Sequence, residues 1–360
     1  MQQAVVVVGA GVIGLSVACK LQETGKYSVA IVAENVPCAN TPQSRLSTKW
    51  ASPWAGAHWR AWASNQDTDL QEMEMRTYRE MLRRADDAPE SGISVAQGVE
   101  LYEESPAEPL WYASMVENAR EIPLADLPEG IEYGLEYTTL LINVPKYLLY
   151  LKSLFVSKGG RIYEQSIEHI LDAVRYAPAA GPASALPIVV NCTGLGSRAL
   201  GGVNDKKLYP IRGQTLLVNA AEAKRTVTRI GSQKFSYVIP RGDGTVVIGG
   251  SVDKHKWSCE PSNALSRQII SRALELEPAL LPVQSSETLG SRLEMLAEQI
   301  VSVGVGLRPM REGGVRLEIE KMRKEGAGLV SVIHCYGHGG FGFQSSLAFA
   351  DKALELANAL

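Results

Sequence analysis

Cysteine is scarce in this 360-residue sequence. The five cysteines are widely spaced, none belongs to a CxxC pair, and they stand at Cys19, Cys38, Cys192, Cys259 and Cys335. Disulfide scaffolds and zinc knuckles both need denser cysteine patterns, so the odd number and wide spacing indicate reduced thiols in a core. The sequence also shows no carboxylate pair, no His/Cys set with zinc spacing and no Ser-His-Asp set, so we predict no metal site and no residue acting as catalytic acid or base.

Long apolar runs and concentrated positive charge are also missing. No stretch reaches the ~20 apolar residues of a membrane span, and nothing reads as a signal peptide. The 36 Lys and Arg nearly balance 39 Asp and Glu without forming a dense block. Nucleic acids and anionic membranes are therefore disfavoured as partners. With 45% hydrophobic and 21% charged residues, the chain has the composition of a soluble enzyme with a small-molecule substrate, and its length favours two domains.

The N-terminus predicts a strand, a glycine turn, a helix and a second strand. Residues 4–8 are a short β-branched run, apolar residues then recur with helical spacing up to Gly25, and residues 27–32 form the second run. Gly9, Gly11 and Gly14 between these elements satisfy GxGxxG. In this context the first glycine makes the turn, the second admits a pyrophosphate and the third allows close helix packing.

This unit predicts a bound dinucleotide. We expect the turn and the helix N-terminus to hold the phosphates through Gly9, Ala10, Gly11, Val12, Ile13 and Gly14. Glu34, twenty residues after Gly14, is placed to accept a hydrogen bond from a ribose hydroxyl. The motif alone is compatible with FAD and with NAD.

Downstream segments show a few clear local patterns. Residues 50–62, WASPWAGAHWRAW, hold four of the six tryptophans without a period, which favours a loop lining something flat. Residues 68–85, 147–158, 264–276 and 344–357 are helix-like. Gly242-Asp243-Gly244 joins two strand-like runs as a hairpin.

The C-terminal half carries a more specific combination of motifs. These are PIRGQ at 210–214, YVIPR with its hairpin to IGG at 237–250, and GLRPMREGG with HCYGHGGFGFQSS within 306–346. Together with VVVVGAGVIGLS, ASPWAGAHW and NCTGLGSRAL, they make the whole chain resemble the D-amino-acid oxidase family, which includes the D-aspartate oxidases. The resemblance is closest to fungal members.

The resemblance implies an FAD-dependent oxidase with D-amino acids and O2 as partners. Such enzymes pass a hydride from Cα to flavin N5 and the electrons to O2, giving H2O2, a 2-oxo acid and ammonia. The implied fold class is α/β, with a Rossmann-like FAD-binding domain and an α+β substrate domain that has a largely antiparallel sheet. We place the FAD-binding domain at residues 1–55, 145–200 and 305–360, and the substrate-binding domain at 56–144 and 201–304.

Residue roles are carried over where the motifs match. Arg308 resembles the arginine that binds the substrate carboxylate, Tyr237 the tyrosine that shares it, and Gly340 the small residue near the amine. His338 is expected to be structural or adjacent to the flavin, and not to act as a general base. Further cofactor contacts are implied for Ser47, Thr48, Ser52, Trp54, Thr193, Gly194, Arg308, Gly339, Gly340, Gly342, Phe343 and Gln344.

Substrate preference depends on a departure from the family pattern. Val252 stands where relatives carry a tyrosine or an arginine, and it cannot hydrogen-bond a substrate. If Arg229 or His58 points into the pocket, an acidic D-amino acid is matched; if both face solvent, Val252 leaves an apolar pocket for neutral ones. We favour the general oxidase, with a D-aspartate or D-glutamate oxidase as the alternative.

Two readings of other classes stay open, an NAD-dependent dehydrogenase and a non-catalytic flavin scaffold. The former does not fit the contexts of Arg308 and Tyr237, and the latter would have no need of them. The resemblance implies a peroxisomal location, although the last residues, Asn358-Ala359-Leu360, do not form an S-K-L signal, and the cytoplasm is the other expectation. A homodimer is left open.

Overall fold

The computed structural model describes residues 2–39, 46–179, 186–231, 235–282, 288–326 and 328–360. The helices are α1 Val12–Glu23, α2 Thr68–Asp87, α3 Val144–Ser157, α4 Asn263–Leu276, α5 Leu289–Glu298 and α6 Gly342–Asn358. The strands are β1 Gln3–Val8, β2 Tyr27–Ala33, β3 Ile93–Tyr102, β4 Arg120–Glu121, β5 Tyr133–Ile142, β6 Arg161–Glu164, β7 Ile188–Asn191, β8 Leu208–Asn219, β9 Thr226–Ile230, β10 Ser236–Pro240, β11 Thr245–Gly249, β12 Asp253–Lys254, β13 Ile300–Arg311, β14 Arg316–Lys324 and β15 Gly328–Tyr336.

The first sheet has the order β14-β15-β7-β1-β2-β6. Strand β1 runs parallel to β2 and to β7, and only β14 is antiparallel to its neighbour. Val5, Val6 and Val7 are completely buried, because β1 lies in the interior of a sheet that is covered on both faces. The predicted strand-turn-helix-strand unit is confirmed.

The second sheet has the order β12-β8-β11-β10-β9-β3-β5-β4, and β13 pairs with β8 outside this path. Its ladders are antiparallel except for β3 beside β9. Gly242 and Gly244 have φ of 75° and 88° in the turn between β10 and β11, which explains why glycine flanks Asp243 there. The predicted α/β class with a largely antiparallel second sheet is confirmed.

Two segments lie elsewhere than the sequence boundaries placed them. Residues 305–311 were assigned to the FAD-binding part, but they belong to β13, which pairs with β8 in the second sheet. Residues 56–144 were assigned to the substrate part, yet α2 packs against α6. Met75, Tyr78 and Met81 of α2 join the core that also contains Val5 and Val7 of β1. The apolar face of α2 finds its partner on the helical layer of the first sheet.

No helix in the described part of the chain is long and apolar enough to cross a membrane.

Candidate active site

A cavity of about 1010 Å³ is lined by residues of both sheets. Its size suits a large cofactor together with a small substrate. Within the described ranges no group of three or more His, Cys, Asp or Glu residues is arranged to hold a metal ion. This one cavity is lined by most of the residues predicted to bind substrate and cofactor.

The glycine turn forms one end of this cavity. Gly9 has φ of 108°, and a Cβ there would lie 2.6 Å from the Cys192 carbonyl oxygen. A Cβ on Gly11 would lie 2.9 Å from Ser52 Oγ, which accepts a 3.0 Å hydrogen bond from the Val12 amide. Gly14 does not line the cavity; a Cβ there would collide with the Gly9 carbonyl, so its role is close packing. The turn thus leaves open the space that a pyrophosphate needs.

The surroundings of the turn fit a dinucleotide. The Nε1 of Trp50 is buried without a protein partner and lies 3.8 Å from the position of a Cβ on Gly11. A buried indole N–H without an acceptor is costly, and a phosphate oxygen would supply one. The predicted cofactor residues that line the cavity are Gly9, Ala10, Gly11, Val12, Ile13, Glu34, Ser52, Trp54, Thr193, Gly194, Arg308, Gly339, Gly340, Gly342, Phe343 and Gln344.

Ser47 and Thr48, predicted to contact the flavin, do not line the cavity. The Ser47 carbonyl accepts a 3.0 Å hydrogen bond from Trp54 Nε1, and the Thr48 hydroxyl donates to Cys259 Sγ at 2.8 Å. Both residues therefore bond to other parts of the protein and do not form the cavity wall. The cavity wall begins one residue later, at Lys49.

Arg308 reaches the cavity from β13. Its Nη1 donates to the Ser251 carbonyl at 3.1 Å, and a Cβ on Gly213 would lie 2.6 Å from its Cζ. Among the described residues no carboxylate pairs with this guanidinium. The remaining donors are therefore free to bind an anion in the bidentate geometry that arginine favours.

Tyr237 lies on β10, opposite Thr228 of β9 and Gly249 of β11. Only 8% of the tyrosine is exposed, and its ring meets Phe235 edge-on at 5.8 Å. A Cβ on Gly249 would lie 2.6 Å from the Tyr237 hydroxyl oxygen, so the glycine makes room for the phenol. The hydroxyl has no hydrogen-bond partner among the described side chains. Tyr237 and Arg308 line the same cavity, as predicted.

The loop before α6 joins the cavity wall to the strand that carries Arg308. The Gly339 amide donates to the Pro309 carbonyl at 2.9 Å. A Cβ on Gly340 would lie 3.5 Å from Arg308 Cδ and 3.9 Å from the Trp62 ring. Gly340 therefore lies beside Arg308, the residue predicted to bind the substrate carboxylate.

Trp62 and Gln344 fix the tryptophan loop against α6. The Trp62 ring stacks on Phe341 with centroids 5.7 Å apart and planes at 23°. The Gln344 amide donates to the Arg60 carbonyl oxygen. The buried Glu74 carboxylate accepts from the Trp62 amide at 2.9 Å, so the loop is held on two sides.

His58 lines the cavity but carries no charge there. Its Nδ1 lies 2.5 Å from the Thr226 hydroxyl oxygen. Burial, assisted by the nearby Arg60 cation, lowers the pKa of His58 to about 3. Because the imidazole stays neutral, it does not provide the cation that an acidic side chain would require.

Arg229, predicted to bind the substrate, does not line the cavity. Neighbouring residues of a strand point to opposite faces, and Thr228, the partner of Tyr237, takes the cavity side. Arg229 faces the other way and pairs with Glu103 at 2.8 Å. Lys234, considered as a second cation, lies outside the described residues. Val252 does line the cavity and is 51% exposed.

The cation that the sequence analysis missed is Arg60. It lines the cavity, and the side chain is 21% exposed. Its Nη1 lies 3.9 Å from a carboxylate oxygen of Glu100. Burial alone would lower the pKa of Arg60, but Glu100 and nearby tyrosines raise it above its ordinary value. The only available signal was the spacing of two residues from His58, which places both on one side of an extended loop.

Glu100 itself is anchored by three tyrosines. The hydroxyls of Tyr102, Tyr112 and Tyr137 donate to its carboxylate at 2.6, 2.7 and 2.7 Å. Glu100 is 1% exposed, and these bonds hold its charge beside Arg60.

Comparison with known proteins places this geometry in a family. The model for FAD-dependent oxidoreductases of the DAO family matches residues 4–356. A D-amino-acid oxidase of Schizosaccharomyces pombe is 33% identical over 357 residues, covering 98% of this chain and 95% of the relative. The chain belongs to the D-amino-acid oxidase family. A D-aspartate oxidase of Talaromyces thermophilus is 32% identical, covering 99% of this chain and 95% of that protein.

The fold of this family member also matches solved structures. The glycine oxidase of Bacillus cereus superposes with a TM-score of 0.70 at 19% identity, covering 99% of this chain and 95% of that chain. Membership of the D-amino-acid oxidase family makes FAD the cofactor, and nothing found supports the NAD-dependent alternative. The glycine turn, the free Trp50 N–H and Glu34 are the residues that fit it.

Proposed function

We propose that this chain oxidises neutral D-amino acids with O2 as the electron acceptor. The observation that supports this most directly is the Arg308 guanidinium, which faces the cavity without a carboxylate partner among the described residues and lies beside Gly340. An unpaired, partly buried arginine is costly and is satisfied when an anionic ligand binds.

Arg308 and Tyr237 bind the substrate α-carboxylate in this proposal. The guanidinium forms two parallel hydrogen bonds with the carboxylate, and the tyrosine hydroxyl donates a third. Ser251 fixes the guanidinium from behind through its carbonyl oxygen. These contacts orient Cα, and orientation of this kind accounts for much of the rate of a bound reaction. FAD, when bound, supplies the two-electron acceptor and passes the electrons on to O2.

In this proposal no described residue acts as a base in this step. His58 is neutral and engaged with Thr226, and hydride loss from Cα needs only that the substrate amine is unprotonated. Trp62, which lines the cavity and stacks on Phe341, holds this part of the wall in place.

The walls near Tyr237 favour a neutral side chain. Phe235, Ile239 and Val252 line this part of the cavity, while Arg229 is turned away and paired with Glu103. Burial of a substrate carboxylate against these apolar groups would be unfavourable. We therefore place neutral D-amino acids first.

Arg60 favours a second candidate, oxidation of acidic D-amino acids. Tyr237, Thr228 and Glu100 are neighbours across β10, β9 and β3. Arg60 contacts Glu100, so it lies at the far end of this row from Tyr237, which binds the α-carboxylate in this proposal. A substrate with a second carboxylate could extend towards it. We rank this second because the Arg60 charge is already balanced by Glu100.

A peroxide assay of the purified holoenzyme with D-alanine, D-valine, D-proline, D-aspartate, D-glutamate and their L-enantiomers tests both candidates. We expect peroxide from the neutral D-amino acids. Peroxide from D-aspartate or D-glutamate alone would replace the first candidate by the second, and the Arg60→Leu variant should then lose the acidic substrates selectively. A yellow protein without peroxide from any of them would contradict both.

Location and assembly are proposals as well. We keep the peroxisome as the proposed compartment and a homodimer as the proposed assembly. Fluorescence microscopy of the tagged chain beside a peroxisomal marker tests the first, and light scattering after size exclusion tests the second.

A further inference from the structure

Two cysteine thiols meet at the floor of the cavity. Cys192 follows β7 directly and Cys335 lies on β15, a parallel neighbour in which His334 is paired with Asn191. One residue further along this ladder brings Cys335 beside Cys192, and each thiol shifts the pKa of the other. Neighbouring strands lie about 4.8 Å apart, which is within the roughly 4.4–6.8 Å between the Cα atoms of a disulfide. The strand spacing is therefore compatible with a disulfide between the two residues.

The pair is buried in the protein yet borders the cavity. Cys192 is 8% exposed and Cys335 is 1% exposed, and both contribute to the cavity wall. A small oxidant inside the cavity therefore reaches them, whereas a bulky reagent in solvent does not.

His338 adds a basic group to the pair. It is 3% exposed, its Nε2 has no hydrogen-bond partner among the described residues, and the imidazole acts electrostatically on the Cys335 thiol. The contact with Cys192, and then that with His338, lowers the pKa of Cys335, whereas the pKa of Cys192 is raised. The thiolate is the form that attacks peroxide, and a basic imidazole near Cys335 favours that form at this residue.

Cys19 shows what an ordinary buried thiol of this chain looks like. It donates to the Leu151 carbonyl at 3.3 Å, and burial raises its pKa to about 12. Cys19 has neither a second thiol nor a histidine beside it, and it does not line the cavity. The contrast separates Cys335 from a thiol that only fills space.

We propose that Cys335 and Cys192 form a peroxide-reactive pair, in which Cys335 attacks and Cys192 resolves. The Cys335 thiolate attacks one oxygen of H2O2, the O–O bond breaks, and Cys335 becomes a sulfenic acid while hydroxide leaves and is protonated to water. The Cys192 thiol then attacks the sulfenic sulfur, a disulfide forms, and a second water is released. Two thiols lose two electrons, and one H2O2 is reduced to two waters.

The proposal rests on the proposed function only for the source of the oxidant. An oxidase releases H2O2 within this cavity, so the pair meets its oxidant where it is made. The disulfide would link the end of β7 covalently to β15. This link would lie next to Gly9, which packs closely against the Cys192 carbonyl in the glycine turn.

The test treats the holoenzyme with added H2O2 in the absence of any amino acid. A Cys38→Ser/Cys259→Ser background removes the two exposed cysteines, and mass spectrometry after non-reducing proteolysis identifies linked peptides. We expect a Cys192–Cys335 peptide that disappears with reductant, while Cys19 stays a free thiol. If Cys192 and Cys335 stay reduced when the exposed cysteines of the unmodified chain are oxidised, the proposal is wrong.

Single variants separate the two roles. In Cys192→Ser, dimedone should trap a sulfenic acid at Cys335, whereas in Cys335→Ser or Cys335→Ala, Cys192 should stay a thiol. The flavin spectrum and circular dichroism establish that each variant is folded. A Cys192→Ser variant that retains its flavin and leaves Cys335 unmodified would overturn the assignment.

A second arm replaces added H2O2 by D-alanine, with and without catalase. Formation of the disulfide with added peroxide but not with any substrate of the panel would contradict the proposed function and leave the thiol pair intact. The opposite failure, peroxide release during turnover with no reaction at either thiol, would remove the thiol proposal alone.

Discussion

Gly213 lies so close to Arg308 that a Cβ on the glycine would come within 2.6 Å of the guanidinium carbon. Because Gly213 of β8 has no side chain, the Arg308 guanidinium of β13 can occupy the space beside it. If Arg308 binds the substrate as proposed, position 213 controls that binding through the place it leaves for the guanidinium.

We predict that Gly213→Ala displaces the Arg308 guanidinium and raises KM for D-amino acids at least ten-fold, equivalent to about 1.4 kcal/mol. Bound flavin should be unchanged. Steady-state kinetics check this, and Gly290→Ala serves as the matched control, because a Cβ there meets only Thr288 Oγ1 at 3.8 Å. Equal KM values in both variants would contradict the positioning role.

Removal of the cation itself should have a larger effect. Arg308→Ala is expected to lower kcat/KM by roughly 3 kcal/mol or more, because a charge-assisted bidentate contact is lost. Arg308→Lys should recover only part of it, since an ammonium cannot form the planar pair. Unchanged kcat/KM with the best substrate would remove Arg308 from the site.

Gly11→Val should abolish retention of FAD. The side chain would press on Ser52 Oγ and occupy the path of the pyrophosphate. The ratio of flavin to protein absorbance after gel filtration measures the loss, and circular dichroism tests the fold. A fully yellow variant would argue that the phosphates lie elsewhere.

Arg229→Leu should leave substrate preference unchanged. Its guanidinium pairs with Glu103 on the face of β9 turned away from the cavity, so its loss lowers Tm without touching the pocket. The double variant Arg229→Leu/Glu103→Leu removes both charges and should recover part of the lost stability. A changed ratio of kcat/KM between D-alanine and D-aspartate would show that Arg229 reaches the substrate after all.

His58 predicts how stability depends on pH. Its pKa falls from 6.5 to about 3 on folding, so the unfolded chain binds a proton between these values that the folded chain does not. This contribution therefore weakens folding progressively as pH falls below 6.5. We expect the Tm of His58→Gln to decrease less between pH 7 and pH 5 than the Tm of the parent protein does. Parallel falls in Tm would mean that His58 titrates normally in the folded protein.

Elements governed by local pattern were predictable. Apolar spacing predicted the strand-turn-helix-strand unit and α6, and Gly242-Asp243-Gly244 predicted the hairpin. The resemblance singled out Arg308 and Tyr237 because their motifs are distinctive, and the structure brings both to one cavity. Each of these rests on residues close together in the chain.

The two errors about charge have different physical origins. A strand alternates its faces at every residue, so an alignment uncertain by one position could not distinguish Arg229 from Thr228. Arg60 was not predicted because its position depends on a contact with Glu100, which lies forty residues later in the chain, on β3. Ser47 and Thr48 directly precede the part of the chain that reaches the cavity, which begins at Lys49.

The hydrogen bond from the Gly339 amide to the Pro309 carbonyl joins the backbone beside Arg308 to the loop that enters α6. This main-chain contact thus helps to set the spacing between Arg308, the proposed carboxylate-binding residue, and the loop before α6. Replacement of Phe235, Ile239 or Val252 leaves that spacing alone. Substrate range can therefore diverge among descendants of this chain while the reacting carbon keeps its place.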